Sequence, residues 1–363
     1  MLAANLTLNL LNSQSLWSTE SGVITYNKTS PYIIRGTNWH GIESDCSVPH
    51  GLWANKMDFY FDLLKSNGFN SIRLPVSYEI MNNLHTPVLD TCLEADPEYM
   101  GLEIGEFMDH FIDKAKIFGM TVLIDQHTIL GKIPSHPWSE NINSDMTINA
   151  WISFLKRFSN KVFAIELKNE PHDDCSLETY FTWCGEAIHR IENETNYRGL
   201  YFISGVQLSK SDNNKNHAWG GTFNDLESSP DLINKLGIPI NRLVFCPHVY
   251  GTSVRSDSVV NDGPPNWDAD FGFIKTKDWE LKNIPVIFSE MGGFLTGTDI
   301  DFYNRFKDYA HDKGLTAGLY WWSLPSTSVD TGGLIENDFK TIDWNKMNYV
   351  KNFISNPTYN ISP

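Results

Sequence analysis

Eight times along this chain a short apolar run gives way to a stretch of helical period. The apolar runs are 32–36, 69–75, 120–125, 162–167, 200–203, 243–248, 285–290 and 316–322. The helical stretches are 55–67, 105–118, 147–158, 177–192, 228–236, 270–282, 299–313 and 344–354. The runs are nearly continuous in apolar residues rather than alternating, as strands are when both faces of a parallel sheet are covered. Eight strand–helix units close most simply into a single (β/α)8 TIM barrel. An open doubly wound sheet would expect a Gly-rich phosphate turn after an early strand, and none is present. Ahead of the barrel, Gly22–Tyr26 and the turn-forming Asn27–Pro31 predict a short N-terminal β-hairpin capping the bottom. The expected organisation is a tail over 1–14, one barrel over 15–355 and a tail over 356–363.

The fourth run carries the densest chemistry. Phe163-Ala164-Ile165-Glu166-Leu167 leads into Lys168-Asn169-Glu170-Pro171. The proline cannot extend a ladder, so the chain turns there and leaves a carboxylate at the strand's C-terminal end. In a barrel that end is the catalytic face. Other runs end the same way, in Arg73, His127, His248 with Tyr250, Glu290 and Trp322. Each alone reads as an ordinary structural residue. Their recurrence at one end of successive strands points to a shared site. The longer connections, 76–104, 127–146, 206–227 and 250–269, also follow strands and belong to that face.

Charge and cysteines bound the setting. With 44 acidic and 28 basic residues the formal net charge is −16, which disfavours nucleic acid and anionic membranes as partners. There is no apolar run of 18 residues or more, so no membrane span is expected. Leu6–Leu11 is short, interrupted, and lacks the basic flank and cleavage pattern of a signal peptide. The five cysteines, Cys46, Cys92, Cys175, Cys184 and Cys246, show no Cys-x-x-Cys spacing. No metal cluster is legible and no cofactor is expected. Glycosylation sequons at Asn5, Asn27, Asn193 and Asn360, with cysteines available for bridges, favour an extracellular or lysosome-like compartment. A monomer is expected.

Glu170 and Glu290 fall on strands four and seven, nearly opposite across the barrel mouth. Glycoside hydrolysis needs two such carboxylates, one holding a proton for the leaving oxygen and one ionised. Mutual repulsion and unequal neighbours separate their proton affinities. Arg73 and Tyr250 are placed to hold Glu290 ionised. Asn169 is placed to grip a sugar 2-hydroxyl, and Trp322 offers a flat face for a pyranose ring.

The chain resembles glycoside hydrolase family 5, the cellulase family, over about residues 15–350. The pieces that carry the resemblance are Arg35-Gly36-Thr37-Asn38-Trp39, His50-Gly51-Leu52-Trp53, Asn70-Ser71-Ile72-Arg73-Leu74-Pro75, Asn169-Glu170-Pro171-His172, Gly205-Val206-Gln207, Trp219-Gly220-Gly221, Pro247-His248-Val249-Tyr250-Gly251, Ser289-Glu290-Met291-Gly292-Gly293 and Asp330-Thr331-Gly332-Gly333. The His-Gly-Leu-Trp, Trp-Gly-Gly and Asp-Thr-Gly-Gly pieces are most like the endo-β-1,4-glucanase subfamily. The resemblance implies Glu170 as acid/base and Glu290 as nucleophile, supported by Arg73, His127, Asn169, His248, Tyr250 and Trp322. Ser289, Met291, His40 and Thr128 depart from the residues common in relatives, which bears on subsite preference rather than on reaction type.

Further expectations follow on the same face. Disulfides are predicted between Cys46 and Cys92 and between Cys175 and Cys184, with Cys246 free and buried. Trp39, Trp53 and Trp219 are expected to line an extended cleft for a β-glucan. Trp138 and Trp267 are equally consistent with cleft or packing. His40, Glu43, Tyr78 and Gln207 are candidates for sugar hydroxyls, and Trp322 is preferred over Trp321 as the platform. The alternatives are the same chemistry on mannan, xyloglucan, mixed-linkage glucan or a glycosylceramide, and a non-catalytic sugar-binding barrel.

Overall fold

The computed structural model describes residues 16–129, 136–139, 141–255 and 263–354. The expected terminal tails and the sequons at Asn5 and Asn360 lie outside these residues. Three short antiparallel strands come first, β1 (Trp17–Glu20), β2 (Val23–Tyr26) and β3 (Ser30–Tyr32). The expected hairpin is therefore a three-stranded sheet, because residues 30–32 pair back onto β2 rather than opening the barrel.

The barrel strands follow as β4 (Ile34–Asn38), β5 (Ser71–Ser77), β6 (Thr121–Thr128), β7 (Ala164–Glu166) and β8 (Leu200–Ser204). A two-residue ribbon, β9 (Leu208–Ser209) and β10 (Lys215–Asn216), interrupts the series. It resumes with β11 (Leu243–Cys246), β12 (His248–Tyr250), β13 (Phe288–Gly292) and β14 (Gly318–Trp322). Pro247, which has no N–H to donate, splits the sixth barrel strand into β11 and β12. The order β11-β8-β7-β6-β5-β4-β14-β13-β12 is parallel throughout. A parallel bridge from Phe245 to Val286 joins the two ends. The sheet is thus a closed (β/α)8 barrel.

The helices start where side chains cap them. Asn143 accepts from Met146 N at the head of Ser144–Phe158, and Ser176 accepts from Thr179 N at the head of Leu177–Glu194. Glu103 and Glu106 form a reciprocal capping box for Ile104–Ile117. Two helical stretches differ from expectation. The one over 228–236 is mostly a 3-10 turn from Pro230 to Leu236. The one over 270–282 starts earlier, at Pro264, where a proline suits the first helical position. It contains a π turn over Asp268–Gly272 and ends at Thr276. Among the described residues no helix is long and apolar enough to cross a membrane.

The lumen is layered. Its lower part is apolar, with Ile34, Leu123, Phe163, Phe202, Val244, Ile287 and Tyr320 all buried. Gly36 makes room there, since a Cβ would meet the Tyr320 ring at 2.2 Å. Trp17 closes the floor, edge-on to Tyr32 at 5.0 Å and Phe163 at 5.3 Å. The few hydroxyls there are paired, Tyr320 with Ser71 at 2.8 Å and Tyr32 with Thr121 at 3.0 Å, while the charged inward residues lie together at the upper end.

Cys46 and Cys92 are joined by a disulfide that ties the loops after β4 and β5 across 46 residues. Closing a loop of that length limits the unfolded chain by roughly 4 kcal/mol on an entropic account. The second expected bridge is not formed. Cys175 and Cys184 are free and buried, as is Cys246. Cys175 precedes the cap Ser176, whereas Cys184 lies two turns inside the helix, about 10 Å along its axis at ~1.5 Å per residue. A disulfide needs Cα atoms within roughly 7 Å. Thiol alkylation checks this pattern: the native protein should resist labelling, and unfolding without reductant should expose three labelled cysteines, not one.

Candidate active site

Arg73 stands at the centre of the upper lumen, wholly buried on β5. Its Nε and Nη2 donate to the two oxygens of Glu166 at 2.8 and 3.0 Å. Its Nη1 donates to Glu290 Oε1 at 2.7 Å and to Asn38 Oδ1 at 2.9 Å. Its Nη2 also donates to Asn169 Oδ1 at 2.8 Å and lies 3.0 Å from Asp125 Oδ2. One guanidinium therefore fixes groups from β4, β6, β7 and β13. Because Arg73 can only donate, it orients the Asn169 amide with oxygen toward the guanidinium. Asn169 Nδ2 is left buried without a partner.

Glu290 on β13 is almost fully enclosed, yet it is strongly acidic. Burial opposes its ionisation, but the charges of His248, Arg73 and His127 outweigh that, with help from Tyr250, and hold it down at about 2. The Tyr250 hydroxyl donates to Oε2 at 2.5 Å. Both oxygens of Glu290 thus accept a strong bond. His127 is fixed by Asp125, its ring Nδ1 2.7 Å from Oδ2.

Glu170 faces Glu290 across His248. The His248 ring sits 2.7 Å from Glu170 Oε1 through Nδ1 and 2.9 Å from Ser289 Oγ through Nε2. Burial works against a charge on His248. The negative Glu290, the nearby Glu166 carboxylate and the bond to Glu170 reverse this and push its pKa up to about 10. One oxygen of each glutamate and a ring nitrogen of His248 all lie within 4.8 Å of one another.

The backbone at Glu170 is unusual. Its φ is +43°, although it precedes Pro171, which already narrows its choices. Neighbours hold it there. Asn169 N donates to Gln126 O, Gln207 N donates to Pro171 O, and the His172 ring bonds Glu170 O at 2.7 Å. Gly220, at φ +64°, is required beside it, since a Cβ would sit 3.1 Å from Glu170 Cγ and 3.2 Å from His248 Nδ1.

Around this centre the aromatic residues divide. Trp322 is half-buried on β14, nearly parallel to the rings of His127 and His40 at 5.2 and 5.4 Å. Trp321 is fully buried against Tyr303 and cannot serve as a platform. Trp219 is 45% exposed and stacks on His172 at 4.1 Å. Trp53 is half-buried, edge-on to Phe339 and His50. Trp138 is half-buried and tilts over His136.

Trp39, expected in the cleft, is instead buried among Tyr60, Phe61 and Phe111, with its indole N–H donating to His50 O. Its position after β4 turns it outward onto the helix layer. Trp267 packs on Phe302 and Phe306 and is also buried. Tyr78 is half-buried at the core edge and makes none of the bonds that join the cluster. The Gln207 carbonyl accepts from Asp173 N, so this residue braces the loop that carries Glu170.

Three polar partners escaped the sequence reading: Asp125, Glu166 and the Asn38 side chain. A usable signal was present, because an arginine buried in a strand needs buried counter-charges. Asp125 lies two residues before His127 on β6, so the two share a strand face, and Glu166 is the last residue of β7, four before Glu170.

Comparison with known proteins places this arrangement. Residues 27–328 match the family described as Cellulase (glycosyl hydrolase family 5). The chain belongs to glycosyl hydrolase family 5. An endoglucanase of Paenibacillus polymyxa is 30% identical over 329 residues, covering 86% of this chain and 79% of the relative. The major extracellular endoglucanase of Xanthomonas campestris is 28% identical, covering 88% and 67%. A hyperthermophilic endocellulase of Pyrococcus horikoshii superposes with a TM-score of 0.83 at 27% identity, covering 94% of this chain and 100% of its own. That endocellulase has also been solved as variants in complex with cellotetraose.

Two measurements test the site's energetics. The left-handed backbone at position 170 costs a side chain with a Cβ about 1–2 kcal/mol. Glu170→Gly should therefore be more stable than Glu170→Ala by about 1 kcal/mol in denaturant unfolding. His248 binds its proton more tightly folded than unfolded, with pKa about 10 against an ordinary 6.5. Its stabilisation is complete below about 6.5 and is lost as pH rises toward 10. The Tm of the protein should fall more steeply across that window than the Tm of His248→Asn.

Proposed function

We propose that this protein is a retaining endo-β-1,4-glucanase in which Glu290 is the nucleophile and Glu170 the acid/base. The observation that carries the reading is the pair itself. Oxygens of Glu170 and Glu290 lie within 4.8 Å of each other and of the His248 ring, which fits the short carboxyl spacing, roughly 5–5.5 Å, of retaining enzymes. The family membership and the endoglucanase relatives supply the substrate class.

The steps follow from the bonds described. Glu290 is ionised, and its carboxylate attacks the anomeric carbon while the bond to the leaving oxygen breaks. Glu170 gives its proton to that oxygen. The sugar is then esterified to Glu290, whose negative charge is gone. Water enters, Glu170 takes its proton, and the hydroxyl oxygen bonds to the anomeric carbon as the ester breaks. Two inversions give net retention.

Supporting groups act through charge and fit. Arg73 and Tyr250 hold Glu290 in position and ionised. His248 loses its largest source of attraction, the charge on Glu290, at the moment the ester forms, so its proton is drawn less to the nucleophile and remains beside Glu170. The orphan Asn169 Nδ2 is a preorganised donor for the 2-hydroxyl, a bond that tightens in the transition state. Trp322 presents an apolar face to the ring under attack. Glu170 stands on the leaving-group side, where Trp219 on its His172 backing offers a surface for the departing chain. The disulfide and the extracellular relative support action outside the cell.

Carboxymethyl-cellulose hydrolysis tests the reading. The viscosity of the polymer should drop well before reducing ends accumulate, and Glu290→Gln should lose about 10³-fold or more in kcat. Proton NMR of early product should show the β-anomer first. An α-anomer would sink the double displacement.

A further inference from the structure

Two residues beyond β7 stands a charged side chain that the proposed chemistry does not use. Lys168 has no exposed surface. Its ammonium bonds backbone carbonyls rather than a carboxylate. Nζ donates to Asn169 O at 2.5 Å and to His127 O, on β6, at 3.2 Å. Burial pulls its pKa down to about 8 while Asp125, Glu170, Cys175 and Glu166 oppose that fall, so the group lies within the field of the site's carboxylates. Its own backbone is fixed from the helix layer. Trp151 Nε1 donates to Leu167 O at 3.2 Å, and the Tyr180 hydroxyl donates to Lys168 O at 3.3 Å. A buried ammonium is costly to keep, and an apolar side chain of similar length would occupy the space without that cost.

The bond to Asn169 O bears directly on Glu170. That oxygen belongs to the peptide group that enters Glu170, and its direction sets how the backbone reaches φ +43°. The peptide group that leaves Glu170 is held at its own oxygen by the His172 ring. Both peptides beside the left-handed residue are therefore held at their carbonyls, one by Lys168 and one by His172. Other groups of the site do not depend on Lys168. Glu290 is held by Arg73 and Tyr250, and the Asn169 side chain by Arg73. Among the described residues the Glu170 carboxyl bonds His248 alone, so its aim relies on the backbone that carries it.

We propose that Lys168 is a positioning residue for proton transfer: by tying the Asn169 carbonyl to the end of β6, it fixes the peptide before Glu170 and aims the acid/base carboxyl at the glycosidic oxygen. The proposal rests on the reading of Glu170 as the acid/base of a retaining hydrolase. It gives Lys168 no contact with substrate. The proton passes from Glu170 to the leaving oxygen as that oxygen's bond to the anomeric carbon breaks. Glu170 regains a proton from water as the ester opens. Lys168 keeps the carboxyl within reach of both oxygens.

Two substrates separate aim from fold. Cellotetraose needs a proton on its leaving oxygen, whereas the phenolate of 2,4-dinitrophenyl β-cellobioside leaves without one. In Lys168→Met, kcat/KM on cellotetraose should fall about 30-fold and kcat/KM on the aryl glycoside by less than about twofold. The ratio of the two does not depend on how much of the protein is folded. On the aryl glycoside kcat should fall about tenfold and take KM down with it, because Glu170 assists the water that opens the ester. Azide needs no base and should restore that kcat. Equal losses in kcat/KM on both substrates, or an undiminished value on cellotetraose, would overturn the proposal. Lys168→Leu also lacks a donor and takes the same comparison, with the same outcomes, if the methionine variant does not fold. Glu170→Ala is the reference. If its ratio falls and that of Lys168→Met does not, the positioning role fails and the acid/base reading stands. If the Glu170→Ala ratio is itself unchanged, the acid/base reading fails and the positioning role with it.

Discussion

A guanidinium with no access to water organises this molecule. Arg73 alone in the lumen would face a desolvation penalty of several kcal/mol. Three carboxylates, Asp125, Glu166 and Glu290, and two amide oxygens surround it at hydrogen-bonding distance. Every donor on the group is used. Burial pushes the Asp125 carboxyl up toward its neutral form, and His127 and His248 are both pushed toward their charged forms against burial, so charge is balanced across the cluster. Removing Arg73 or one of the carboxylates bonded to it would leave a buried charge without its counterpart, which costs about 3–5 kcal/mol. The network therefore acts as a unit, and its geometry is set before a substrate arrives.

That unit exists because the barrel divides its lumen. Below, aromatic and branched side chains fill the space and Trp17 seals the floor. Above, strand ends turn the inward positions over to polar groups. The division keeps water away from Arg73 while the mouth stays open. Ser289 belongs to the upper layer, where its hydroxyl meets the His248 ring and reaches toward Glu166.

Much of this was legible from residues alone. Strand ends, the two glutamates and Arg73 stand out because a barrel puts its chemistry at one end of each strand. Asp125 and Glu166 did not, since Asp125 is overshadowed by His127 at the same strand end and Glu166 lies inside an apolar run, where a carboxylate looks like an irregularity rather than a counter-ion. Trp39 was misread for a related reason. Sequence gives its place at the strand end but not the direction of the ring, and packing on Tyr60 and Phe111 decided that. Cys175 and Cys184 are near in sequence and on the right face, but a capped helix separates their backbones. Register and rotamer, which depend on neighbours distant in the chain, carry the missing information.

Synthesis order gives the barrel's closure a further meaning. β4 pairs with β14, so the first barrel strand waits for the last, at Gly318–Trp322, before its open edge is covered. The disulfide joins residues 46 and 92, well inside the part made first. Arg73 emerges early, with Asn38 behind it and Asp125 and Glu166 soon after, but Glu290 only when four-fifths of the chain is made. A nascent chain paused before that point would carry six of the eight barrel strands with unpaired edges and a cation short of one anion. The strand that carries Glu290 thus supplies the missing anion, and β14 after it covers the edge of β4.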